Sequence, residues 1–147
     1  MRQAIVAVLI AASVAAAATP EDGRAAYERR DDTMKQLGRS LYTGIGRVVQ
    51  GRSQYGPDTV TAAEAVTRLV ATLPTLFPPG SDVPPSRMRP ELLATDSNRD
   101  TLIAAVQRAA AGLVPAVRGG DNAAMASAYK AVTAACDACH SKFRNDE

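Results

Sequence analysis

Along most of this chain apolar residues recur every three or four positions, and nowhere do they alternate with the two-residue period of a half-buried strand. Tyr27, Met34, Leu37, Leu41, Ile45 and Val48 form the first stripe, which predicts a helix from about Glu21 to Gln50. Pro20 suits its first turn, where a missing N–H is harmless, and Glu21 and Asp22 complement the positive end of the helix dipole. Gly44 and Gly46 weaken its last turns, and Gly51 to Pro57 reads as a turn. A second stripe, Val60, Ala63, Val66, Val70 and Leu73, opens either at Asp58 or at the capping box Thr61-x-x-Glu64 and is stopped by Pro74. From there to about Asp96 the chain holds six prolines and no sustained period, which predicts a long crossover loop with Leu76 and Phe77 tucked inward.

The third stripe starts near Asp96 or Ser97 and carries Ile103, Val106, Ala110, Leu113 and Val117, with Pro115 expected to kink or end it. Gly119-Gly120 makes a turn, and Asp121 or Asn122 caps a fourth helix. Its stripe is the cleanest: Met125, Tyr129, Val132, Cys136, Cys139 and Phe143. Short turns join helices one to two and three to four, so neighbours run antiparallel. The expected fold is all-α, an antiparallel four-helix bundle.

Residues 1–18 change the reading of the N-terminus. Arg2 is a short positive region, Ala4 to Ala12 is apolar, and Ala16-Ala17-Ala18 offers a cleavage site, so this segment is expected to be a cleaved export signal. It is shorter than the about 20 apolar residues of a membrane span, and no stable membrane anchor is expected. Residues 19–147 are then one domain of roughly 130 residues, placed in the periplasm. Acidic and basic residues nearly balance, and no basic stripe with interleaved aromatics supports nucleic-acid binding. There is no Trp, and many core positions are alanine, so the core is thin.

The candidate chemistry sits in Cys136-Asp137-Ala138-Cys139-His140, the C-x-x-C-H signature of covalent c-type haem attachment. Two thiols three positions apart can add across the vinyl groups of one porphyrin, and the histidine that follows can reach its iron. The chain has no other cysteine or histidine. A structural zinc site wants four such ligands and finds three. A thioredoxin-like pair needs a neighbouring βαβ pattern, which is missing. One haem c would fill the thin core, and the haem-free chain is expected to fold poorly. His140 is expected to supply one axial ligand. Met34, Met88 and Met125 are the candidate methionines for the opposite side, beside lysine or an open position. Met88, between two arginines in the proline-rich loop, reads as a surface residue, and Met125 lies some 20 Å along the helix from His140 at 1.5 Å per residue.

The chain resembles the class II c-type cytochromes, four-helix bundles with the haem motif near the C-terminus. The match is carried by Arg30-Asp31-Asp32-Thr33-Met34-Lys35-Gln36-Leu37-Gly38, by Leu73-Pro74-Thr75-Leu76-Phe77-Pro78, and by Cys136 to Arg144. One branch of that family binds iron through a methionine at the position Met34 takes. In the other, the cytochromes c′, an apolar residue there leaves the iron five-coordinate and selective for NO and CO. The resemblance therefore implies the low-spin branch, with His140 and Met34 as axial ligands, Cys136 and Cys139 as thioethers, and Arg30 beside a haem propionate. Arg144 aligns with a basic residue flanking the proximal ligand, while Phe143 and Tyr129 read as packing residues.

The expected function is a periplasmic one-electron carrier without enzyme activity, exchanging electrons with redox partner proteins. A five-coordinate protein binding NO or CO is the alternative. Members of the family often pair through the first two helices, and Leu41, Tyr42 and Val49 could widen that face into a homodimer.

Overall fold

The computed structural model describes residues 19–145; the expected export signal lies outside them. Four rods form an antiparallel bundle. The first comprises α1 (Pro20–Gly38), a π-helical stretch (Arg39–Gly46) and α2 (Arg47–Val49). The second is α3 (Pro57–Ala71), the third is α4 (Arg99–Ala111) with α5 (Leu113–Arg118), and the fourth is α6 (Asn122–Phe143). α4 packs along α6, and the π stretch packs on α3.

The rod ends follow from local chemistry. Thr19 and Asp22 satisfy each other's backbone N–H groups at the start of α1. α3 begins earlier than the Thr61-x-x-Glu64 pattern suggests: Pro57 opens it, and the buried Thr59 hydroxyl accepts from Gly56 N. Thr61 instead donates to Pro57 O, and Glu64 pairs with Arg118. Pro115 acts four residues upstream, because its missing N–H leaves the Ala111 carbonyl without an intrahelical partner, and the third rod breaks at Gly112. The third rod also starts later than Asp96, behind Asn98 in the left-handed region at φ 54°. Asp121 caps α6 by accepting from Ala124 N at 2.7 Å.

Glycines in the first rod permit close packing and do not end the helix. A Cβ at Gly44 would lie 2.5 Å from Ala62 Cβ on α3, and one at Gly46 would lie 2.9 Å from the Tyr129 hydroxyl on α6. The widened π turns carry the rod through this contact, as such turns often do beside functional sites.

Ile45, Ala63, Val66, Leu113, Val117 and Val132 are fully buried where the rods meet. Each of these side chains larger than alanine stabilises the fold by about 1.5–3 kcal/mol. They occupy the half of the bundle nearer the two short turns. Met125 belongs to this core.

The crossover loop is ordered by the bundle rather than by its own period. Leu76 is buried, as expected, and Phe77 packs against the core. Two short 3-10 turns, Leu73–Thr75 and Pro90–Leu93, bracket the loop, and Leu92 is buried. Its last part pairs with the residues after α6: Arg89 N donates to Phe143 O at 2.8 Å and Asn145 N to Arg87 O at 2.8 Å. This antiparallel bridge centred on Met88 and Arg144 is the only extended pairing among the described residues.

Candidate functional site

The C-x-x-C-H residues occupy one face of α6, because positions i, i+3 and i+4 of a helix are neighbours. Cys136, Cys139 and His140 are each half-buried and line a cavity of about 510 Å3. That volume falls within the range of small-molecule and cofactor sites. α1 and its π continuation supply Met34, Leu37 and Leu41 to the wall, three and four residues apart on the inward stripe, with the half-exposed Tyr42 beside them. The loop adds Leu73, Phe77, Met88 and Leu92, and α4 adds Ile103 and Val106. Polar groups gather at the margins: Asp31, Arg87, Arg99, Asp137 and Arg144.

Burial decides the protonation of the motif. It raises the Cys136 thiol to about 11, helped by Asp137 and Cys139, and it raises Cys139 as well. A dithiol redox pair needs the opposite shift, since the thiolate is its nucleophile. Burial lowers His140, and the positive charge of Arg144 lowers it further. The imidazole is thus neutral at pH 7, the form that ligates metal. Among the described residues no three His, Cys, Asp or Glu side chains converge as a ligand set for a bare metal ion. Two protonated thiols, one neutral imidazole and a largely apolar cavity fit a planar porphyrin.

The methionines separate clearly. Met34 is half-buried on the cavity wall and packs against the core. Met125 is buried and does not line the cavity. Met88 corrects the sequence reading: it is half-buried and faces the same cavity, held there by the bridge to Arg144. A loop without period gives no sign of which way such a residue points.

Arg30 lies one turn before Met34, also on the wall, and only 7 % of it is exposed. Its Nη1 donates to Leu76 O at 3.0 Å and to Ser81 Oγ at 3.2 Å. Its Nη2 donates to Ser81 O at 2.8 Å and to Ser86 Oγ at 3.0 Å. Sequence reasoning missed Ser81 and Ser86, which have no pattern of their own. Arg144 is exposed at the cavity edge, and Phe143 is buried beneath it. Tyr129 stands outside the cavity, edge-on to Tyr42 with ring centroids 6.3 Å apart.

Comparison with known proteins completes the picture. The family described as Cytochrome C' matches residues 25–144. Among solved structures, cytochrome c prime from Alcaligenes xylosoxidans in a ferrous variant with bound NO is 24% identical. It superposes with a TM-score of 0.77 over 90% of this chain and 100% of that one. A carbon monoxide-bound variant of the same protein is 25% identical, with a TM-score of 0.76 over 88% of this chain and 98% of that one. A nitric oxide complex of another variant is 25% identical, with a TM-score of 0.76 over 89% and 100%. No curated protein sequence matches the chain. The matched span runs from the first turns of α1 to the residue after α6 and takes in every wall of the cavity, so the chain belongs to the cytochrome c′ family and carries covalently attached haem c.

Proposed function

We propose that this protein binds a small diatomic gas, NO or CO, at a haem c held by Cys136 and Cys139 through thioethers and by His140 as axial ligand. The bound haem supplies an iron that can take such a ligand or pass one electron. The chain supplies the anchor, the enclosure and the selectivity. The observation that carries the reading is the character of the remaining wall. Met34, Leu37, Leu41, Phe77 and Ile103 present no hydrogen-bond donor, and the four terminal N–H groups of Arg30 are spent on the loop. Distal polarity, donors and steric access decide what a haem pocket binds. That apolar stretch of wall suits a small neutral diatomic, while Tyr27, Tyr42, Arg87, Arg99 and Arg144 bring donors to other parts of the same lining. Relatives of the same fold at 25% identity hold NO and CO, which supports the assignment.

A second reading rests on Met34 itself. Its thioether stands on the wall where the low-spin branch carries its sixth ligand, and Met–His ligation would make the protein a one-electron carrier for redox partner proteins. Either protein works in the periplasm after export, without enzyme activity, since its one histidine is committed to iron. Among the described residues no helix is long and apolar enough to cross a membrane.

Optical spectra separate the two. The gas-binding reading expects a high-spin ferric spectrum that Met34→Leu leaves in place, and uptake of CO by the ferrous protein. A low-spin ferric spectrum with a thioether band at the red end, abolished by Met34→Leu, establishes the carrier instead.

A further inference from the structure

Arg30 is a buried cation whose bonded partners are all neutral. Its four terminal N–H groups are saturated by two backbone carbonyls and two serine hydroxyls, leaving only Nε–H. Its guanidinium also lies 5.9 Å from the centroid of the Tyr27 ring and 5.7 Å from that of Phe77. Among the described residues no carboxylate is bonded to it: Asp31 holds Lys35 at 2.6 Å, and Asp82 is exposed. Burial outweighs Asp82 and Asp31, which act on it only at a distance. Taking a charge out of water with no bonded counter-charge is costly, and arginine does not escape the cost by deprotonating. A side chain needed only to brace the loop could do so without carrying that charge. The charge faces the cavity one helical turn from Met34.

We propose that Arg30 is a positioning residue that biases the haem iron toward the ferrous state through its fixed charge, while its fork holds the loop wall in place. This rests on the haem reading above and leaves Nε–H alone for the expected propionate contact, because the four terminal donors are occupied. A positive charge disfavours the more positive ferric centre. Ferrous iron is also the form that takes CO, so the bias serves the proposed gas site. One unit charge about 10 Å away at an effective dielectric of about 20 shifts an equilibrium roughly tenfold.

The test combines haem staining after denaturing electrophoresis, a mediated redox titration and limited proteolysis of residues 76–86. Arg30→Gln should lower the reduction equilibrium constant about tenfold, equivalent to about 59 mV for one electron, and speed loop cleavage. Arg30→Lys keeps the charge but cannot reach four acceptors, so the equilibrium should stay within about twofold of wild type while cleavage rises. Ser86→Asp leaves Arg30 in place and neutralises it; the equilibrium should fall about tenfold with the loop still protected. That variant decides the matter if Arg30→Gln fails to fold. Haem-stained Arg30→Gln or Ser86→Asp protein with an unchanged equilibrium overturns the proposal, as does Arg30→Lys falling as far as Arg30→Gln. Wild-type protein without a haem-stained band refutes the haem reading itself.

Discussion

Replacing both thiols, Cys136→Ala with Cys139→Ala, removes the tether and measures how much of the fold the cofactor supplies. The cavity left behind has about 510 Å3. Apolar voids cost about 24 cal/mol per Å3, so a dry void of that size would cost about 12 kcal/mol. Whole domains are stable by only about 5–15 kcal/mol. Water entering past Arg87, Asp137 and Arg144 lowers the cost at the rim, but Leu37, Leu41, Phe77, Ile103 and Val106 would then be wetted. Neither a dry nor a flooded cavity is sustainable, and α1, α4 and the loop should sag inward. The haem-free variant is expected to keep its far-ultraviolet helical signal, lose near-ultraviolet dichroism, bind an apolar dye and melt without a sharp transition. Thermal melts of the tethered and untethered proteins under identical conditions make the comparison. A cooperative haem-free transition within about 5 °C of the haem protein would show that the half of the core around Ile45, Val66 and Val132 stands alone, and the reasoning would fail.

Two further substitutions test the frame around the site. Gly44→Ala gains about 1 kcal/mol of helix propensity, yet its methyl would lie 2.5 Å from Ala62 Cβ, and overpacking of this kind costs about 1–3 kcal/mol. The expected outcome in a thermal melt is a net loss of a few degrees, recovered when Ala62→Gly is added; a stabilised single variant contradicts the close contact. Asp121→Ala removes the acceptor for Ala124 N and should cost about 1 kcal/mol, roughly 3–5 °C in melting temperature, with the haem spectrum unchanged.

Much of this architecture was legible in the sequence because buried helices leave a period. The stripes through Ile45, Val66, Leu113 and Val132 locate the core, and C-x-x-C-H locates the site, since the chemistry demands those residues at that spacing. What stayed hidden depends on partners distant in sequence. Arg30 looks like one more solvated cation beside Arg29, and its acceptors arrive from a loop 46 to 56 residues away. Met88 sits in a stretch where proline suppresses any period, so only its pairing with Arg144 shows which way it faces. Gly44 and Gly46 were visible as weak helix formers, but their use, close approach to Ala62 and Tyr129, is a property of three rods together. Pro115 was visible too, and the break it causes falls upstream at Gly112, next to the Ala111 carbonyl that it orphans four residues earlier.

The π-helical stretch at Arg39–Gly46 carries a consequence for how this rod tolerates changes in length. A surplus residue in an ordinary helix swings everything beyond it through about 100°, since 3.6 residues make a turn. A stretch bonded five residues apart stores the surplus locally as a bulge. Met34 before the bulge and Val48 beyond it can thus keep their separate targets, one toward the cavity and one toward the core. Deleting a single codon inside the bulge should therefore restore the narrower pitch while both faces keep what they now cover, whereas the same deletion in α3 would turn one end of that helix by about 100°.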